Sequence, residues 1–209
     1  MSAIKFYRHP LSGHSHRVEL LLSLLKLDFE TIEIDLMKGE QKSPEFLLKN
    51  PNGQVPAIED GETTLWDSNA ILVYLATKYD TNRTFLPSNA GEAAEVQKFL
   101  SLAAGSIAFG PAAARLVTLF GASIDADVSI SLAHQTLAKL ESHLANRQWL
   151  ATEQVTLADI ANYAYIALAP EGNVALQDYP NVRDWLVRVE SLDGFVAIQS
   201  SPVGLKSAA

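Results

Sequence analysis

No cysteine occurs anywhere in the 209-residue chain. That absence excludes a disulfide framework, thiolate zinc ligation, iron–sulfur clusters and a cysteine nucleophile. Any thiol chemistry must therefore use a sulfur carried by a ligand. Basic charge is scarce as well: 16 Lys and Arg stand against 24 Asp and Glu, a formal net charge of −8. The deficit is evenly spread, with 8 basic and 12 acidic residues on each side of the Asp80–Thr81 bond. Without a basic block or stripe, neither nucleic acid nor an anionic membrane surface is an expected partner. No continuous apolar run approaches the roughly 18 residues of a bilayer span. Met1 to His9 also lacks the basic-then-apolar pattern of a signal peptide, so a cytoplasmic location is expected.

What is present supports a folded chain. With 48% hydrophobic and 19% charged residues, a core can form and disorder is excluded. The length suits one large domain or two small ones, at about 100–200 residues each. Up to Asp80, strand and helix patterns alternate. Ile4–Tyr7 is short and β-prone, and the turn His9 to His14 follows it. Arg17–Leu27 carries Val18, Leu21, Leu22, Leu24 and Leu25 at helical spacing. Thr31–Leu36 alternates as a half-buried strand, and Ser43-Pro44-Glu45 reads as the capped start of a short helix. Val55–Glu59 and Thr63–Trp66 flank Asp60-Gly61, a hairpin signal. Asp67-Ser68 then caps a helix running to Tyr79. The order β-α-β-α-β-β-α implies a mixed sheet covered by helices.

Beyond a polar linker the chain reads as helix throughout: Glu92–Phe109, stopped by Gly110-Pro111, then Ala112–Phe120 ending at Gly121. Val128–Ala145 follows, then a helix opened by the capping box Thr156–Asp159 and running through Leu168. Pro180 precedes a last helix bearing Trp185, Leu186 and Val189, and Ser200–Ala209 is expected to fray. The fold class is therefore α+β followed by all-α.

Three features carry candidate chemistry. The turn from His9 to Arg17 gathers hydroxyls, imidazoles and backbone N–H groups where a strand ends and a helix begins. Such a place attracts anions, and Ser12 can donate to one; the plainer reading is that Ser12 or Ser15 caps the helix. No third ligand stands at metal spacing, so no metal is expected. Asn52-Gly53-Gln54-Val55-Pro56 is the second feature. Proline cannot donate to a ladder, so Pro56 asks for an edge, a bulge or a cis bond. A cis turn there leaves the Val55 backbone able to pair with an extended peptide, the alternative being an ordinary loop before a strand. Third, Ser68 with the N–H groups after it forms an anion seat, and Asp67 suits an ammonium. Together the two match a free α-amino acid, although simple capping explains such a pair too.

In their order these segments resemble the glutathione transferase family, and the resemblance covers nearly the whole chain. His9-Pro10-Leu11-Ser12 to Arg17-Val18 is similar to the serine-type first turn of the phi and theta classes. Glu40-Gln41-Lys42, Asn50 to Ala57 and Asp67 to Ile71 resemble the tripeptide-binding segments, and Thr156 to Ile160 the capping box of the second domain. The resemblance implies a thioredoxin-like domain over residues 1–80, a linker at 81–88 and an all-helical domain over 89–209, in a homodimer. It implies glutathione as co-substrate, with Ser12 contacting the thiol and His14, Ser15 or Tyr7 as alternative contacts. Gln41 and Lys42 would hold the glycine carboxylate, Val55 and the cis Pro56 the cysteinyl unit, and Gln54, Asp67 and Ser68 the γ-glutamyl end. A small hydrophobic electrophile would sit near Leu11, Phe109, Arg115 and Leu116.

The implied activity is detoxifying conjugation; isomerase, dehalogenase, peroxidase or purely binding relatives share the scaffold. Thiol–disulfide exchange is disfavoured by the missing cysteine. Three places depart from the family pattern: Gln41 and Asn69 stand where relatives often carry a basic residue, and Trp149–Glu153 lacks the glycine usual there.

Overall fold

The computed structural model describes residues 3–207, so residues 1–2 and 208–209 of the two expected domains lie outside it. The first unit runs β1 (Ile4–Arg8), α1 (Gly13–Leu24), β2 (Phe29–Glu33), α2 (Pro44–Leu47), β3 (Ala57–Asp60), β4 (Thr63–Trp66) and α3 (Ser68–Tyr79). The sheet order is β2-β1-β3-β4; β1 and β2 are parallel, the other pairs antiparallel. Strand alternation divides the side chains of β1 between two cores. Ile4 and Phe6 join the main core with α1 and α3, while Tyr7 joins a small one with Ile34, Phe46 and Ala57. The result is the mixed, thioredoxin-like arrangement with helices on both faces.

The second unit is entirely helical: α4 (Ala90–Ala104), α5 (Ala113–Phe120), α6 (Ala126–Leu144), α7 (Leu157–Ala167) and α8 (Pro180–Glu190). Its centre is α7, where every residue from Leu157 to Ile166 is buried. The capping box forms as the sequence reads: Thr156 Oγ1 accepts from the Ala158 N–H, and Asp159 Oδ2 accepts from the Thr156 N–H at 2.9 Å. Asp159 Oδ1 also takes the Leu150 N–H and the Trp185 indole N–H. Burial pushes this carboxyl up, and these three hydrogen bonds oppose the shift.

Several boundaries differ from the sequence expectation. Helix α1 begins at Gly13, not Arg17, because Ser12 adopts the extended N-cap conformation and accepts from Ser15 N–H at 3.2 Å. Strand β2 occupies Phe29–Glu33 rather than Thr31–Leu36. Gly110-Pro111 does not end the helix. The interruption comes at Gly105 (φ −105°, ψ −104°), and Pro111 lies in a π turn, Ala108–Ala112, that leads directly into α5. The stretch Ala90–Phe120 consequently contains a window long and apolar enough to cross a membrane by length and composition, with mean hydropathy 1.4 in that window. Its apolar side is built into the core instead, through Val96, Phe99, Leu100, Ala103 and Ile107. The described part of the tail is anchored too, with Ser201 N–H donating to Glu171 Oε1 at 2.8 Å.

Candidate active site

Two adjoining cavities open along the carboxyl edge of the sheet. The larger, of about 320 Å³, lies between the first turn and α5; the smaller, of about 140 Å³, lies against the start of α3. His14, Gln54 and Val55 line both.

Ser12 lines the larger cavity as the N-cap of α1. Its oxygen accepts from Ser15 N–H, which leaves the hydroxyl proton available to a ligand. The helix N-terminus adds a positive end to the same spot. Gly13 is required here by close approach: a Cβ on it would come within 2.7 Å of Tyr165 Cζ. The Tyr165 phenol of α7 is thereby set beside Ser12 and the His14 backbone. Burial raises its pKa, with Arg17 and Arg115 opposing.

His14 packs edge-on against Tyr165, and its Nδ1 stands 3.4 Å from Ser68 Oγ. Burial holds its pKa down to about 3, so the ring is neutral at pH 7. Ser15 and Tyr7 are differently employed. Ser15 is 1% exposed, and its Oγ accepts from the His9 N–H within the turn. The Tyr7 hydroxyl donates to Glu59, its ring packs against Phe46, and it lines neither cavity. Burial, then Glu59, raises the pKa of that phenol. Neither Ser15 nor Tyr7, the alternative thiol contacts, lines the two cavities.

The smaller cavity holds the other expected ligand groups. Asp67 stands exposed at the N-cap of α3 with φ +70°, a conformation that costs a non-glycine residue about 1–3 kcal/mol. Its Oδ1 holds it there by accepting from the Ala70 N–H at 2.9 Å. Beside it, Ser68 is 6% exposed and receives Arg17 Nη1 at 3.2 Å. Pro56 also lines this cavity, and the Val55–Pro56 bond is cis. Gln41 lines the larger cavity. Lys42 does not reach either one; it is exposed, with Nζ donating to the Asn52 carbonyl at 3.0 Å.

On the α5 side the larger cavity is walled by Leu11, Ala108, Ala112, Arg115, Leu116 and Phe120. Phe109, expected in that wall, is 68% exposed and absent from it. The π turn directs its neighbours Ala108 and Ala112 inward instead. Phe120 and Tyr165 were not singled out by the sequence: an aromatic at a helix end and one inside an apolar helix both look like core. Arg17 was part of a quoted motif, yet nothing in the pattern marks it as lying under Ser68. Among the described residues, no group of three or more His, Asp or Glu forms a metal cluster.

The same two-unit architecture recurs in known proteins. Residues 2–77 match the family model described as the glutathione S-transferase N-terminal domain, and residues 123–193 match that of the C-terminal domain. The chain is 36% identical to glutathione S-transferase 3 of Zea mays, over 93% of this chain and 92% of that protein. It superposes on a crystal structure of a Pseudomonas fluorescens glutathione S-transferase with TM-score 0.89 and 32% identity, covering 95% of this chain and 100% of the other. A Drosophila mojavensis homologue solved with bound glutathione gives TM-score 0.84 and 27% identity, covering 92% of this chain and 89% of the other. With both domains matched and a thioredoxin-like unit followed by an all-helical one, the chain belongs to the glutathione transferase family.

Proposed function

We propose that the protein conjugates the thiolate of glutathione to small hydrophobic electrophiles. The supporting observation is the position of Ser12, at the N-cap of α1 and on the wall of the larger cavity. A free thiol with a pKa near 8.5 is only a few per cent ionised at neutral pH. A hydroxyl donor and a helix N-terminus both favour its anion. Lowering the thiol pKa by about two units takes a differential stabilisation near 2.7 kcal/mol and makes the thiolate the main species.

The remaining ligand contacts follow the run of the two cavities. Asp67 and Ser68 receive the amino and carboxylate groups of the γ-glutamyl end, with Gln54 beside them. The Val55 backbone, ahead of Pro56, pairs with the cysteinyl unit. Gln41 takes the glycine end, and Lys42 supplies positive field from the rim rather than a direct grip. Leu11, Leu116 and Phe120, with Ala108 and Ala112, offer an apolar seat for the electrophile, and Arg115 closes it from beneath.

The reading carries a homodimer and a cytoplasmic setting with it. In support of the dimer, an open groove of about 730 Å³ between α3 and α4 is lined by the partly exposed Leu65 and Val73 and the exposed Ala104. Retention on immobilised glutathione and turnover of a chloronitrobenzene test the function. Ser12→Ala should abolish most of the turnover while the fold persists. Glutathione affinity too weak to measure in a folded protein would instead leave a binding scaffold without this chemistry.

A further inference from the structure

A buried ion pair beneath the larger cavity ties four separate stretches of chain together. Arg115 of α5 and Glu171, in the turn after α7, are 2% and 0% exposed. Arg115 Nε donates to Glu171 Oε2 and Arg115 Nη1 donates to the Leu11 carbonyl, each at 2.7 Å. The second carboxylate oxygen, Glu171 Oε1, accepts from Ser201 N–H at 2.8 Å and lies 3.6 Å from Lys206 Nζ. The C-terminal segment is seated tightly on this loop: a Cβ on Gly204 would come within 2.5 Å of the Glu171 carbonyl oxygen.

Such a pair is a weak source of stability, because desolvating two charges offsets most of their attraction. Its atoms indicate another use. The Leu11 oxygen and the Ser12 nitrogen belong to one planar peptide unit. Arg115 fixes that unit at its oxygen, and the Ser12 N–H fixes it at the other end by donating to the His9 carbonyl at 3.0 Å. The orientation of the plane sets where the Ser12 side chain starts. Glu171 does not line the cavity, so its influence on a ligand must pass through Arg115.

We propose that Arg115 and Glu171, anchored by the C-terminal segment, are positioning residues that aim the Ser12 hydroxyl at the ligand sulfur. This rests on the thiolate role given to Ser12 above. A displacement of about 1 Å is enough to weaken a hydroxyl–thiolate hydrogen bond, so the tail and α5 together govern how far the thiol ionises.

Two variants leave the net charge of the pair unaltered, and therefore report geometry rather than field. Arg115→Lys keeps the cation but loses the fork that reaches Leu11 and Glu171 at once. The double variant Arg115→Met/Glu171→Met removes both charges and strands neither, so it serves if the single variant melts early. The readout is the ionisation of bound glutathione, followed by its ultraviolet thiolate absorbance against pH at saturating glutathione. Both variants should shift that ionisation upward by about half to one pH unit, and should shift it no further in a Ser12→Ala background.

An unmoved titration in a folded variant overturns the proposal, as does an equal shift with Ser12 absent. A change confined to the KM of the electrophile overturns it too, since Arg115 would then be a wall of the cavity only. If the unaltered protein itself binds no glutathione, or shows no lowered thiol pKa, the reading of Ser12 fails instead.

Discussion

Replacing Arg17 with Met should separate ligand binding from folding. The guanidinium is 1% exposed, with Nη1 donating to Ser68 Oγ at 3.2 Å and to Asn69 Oδ1 at 2.9 Å. Its Nε and Nη2 are buried without a partner. Burial lowers its pKa to about 10, which leaves it cationic at neutral pH. A buried cation with three of its five N–H donors idle contributes little net stability, and an unbranched apolar side chain of similar length is often neutral in its place. Ser68 and Asn69, in contrast, lose a charge-assisted donor worth about 1.5–3 kcal/mol in orienting them. Allowing for re-partnering with His14 and solvent, about 1.4 kcal/mol should reach the ligand, a tenfold rise in the glutathione Kd. Calorimetric titration at pH 7 measures this, and a thermal melt on the same sample should show a change of only a few degrees. A Kd within twofold of the unaltered protein, with the melt unchanged, refutes the reasoning. So does a variant that fails to fold, because Arg17 would then be a core residue first.

Other outcomes follow from the same contacts. Phe120→Ala should raise the KM for an apolar electrophile several-fold, whereas Phe109→Ala, outside the cavity, should leave it within twofold; steady-state kinetics of the pair checks both. Asp159→Ala removes the acceptor for Leu150 N–H, Thr156 N–H and the Trp185 indole, and should cost about 3 kcal/mol in denaturant unfolding. Burial lowers the pKa of His14 to about 3 and of His16 to about 4. Since these folded-state values lie below the unfolded value near 6.5, the unfolded chain binds more protons on acidification. Stability should therefore be complete above pH 6.5 and fall toward pH 4, by up to about 2.7 kcal/mol per pH unit for the two rings together. His16→Gln keeps a donor for the Val196 carbonyl and should roughly halve that slope in melts taken between pH 4 and 6.5.

Much of the fold and of the candidate site is legible in the sequence because their parts coincide with element boundaries. Ser12, Asp67 and Thr156 are N-caps, and Asp60-Gly61 and Pro56 mark turns, so local chemistry announces them. Where the reading slipped, tertiary context decided. The polar run His14 to His16 hides the first turn of α1, since His14 and His16 pack against Tyr165 and Tyr163 of α7 rather than facing solvent. Pro111 looks like a stop signal, but a π turn accommodates it and swings Phe109 out of the cavity. Tyr165 of α7 and Glu171 in the turn after it reach across more than a hundred residues of chain, to Gly13 and, through Arg115, to Leu11; no local spacing records this. The tail was expected to fray on its composition, which says nothing of a buried carboxylate waiting for the Ser201 N–H.

The central claim is that Ser12 ionises a borrowed thiol, and one titration tests it most directly. Glutathione bound at saturation should show a thiol pKa about two units below its free value near 8.5. In Ser12→Ala the value should return most of the way toward the free thiol while glutathione still binds. Equal pKa values in the two proteins, or an unshifted thiol in the unaltered one, would contradict the account.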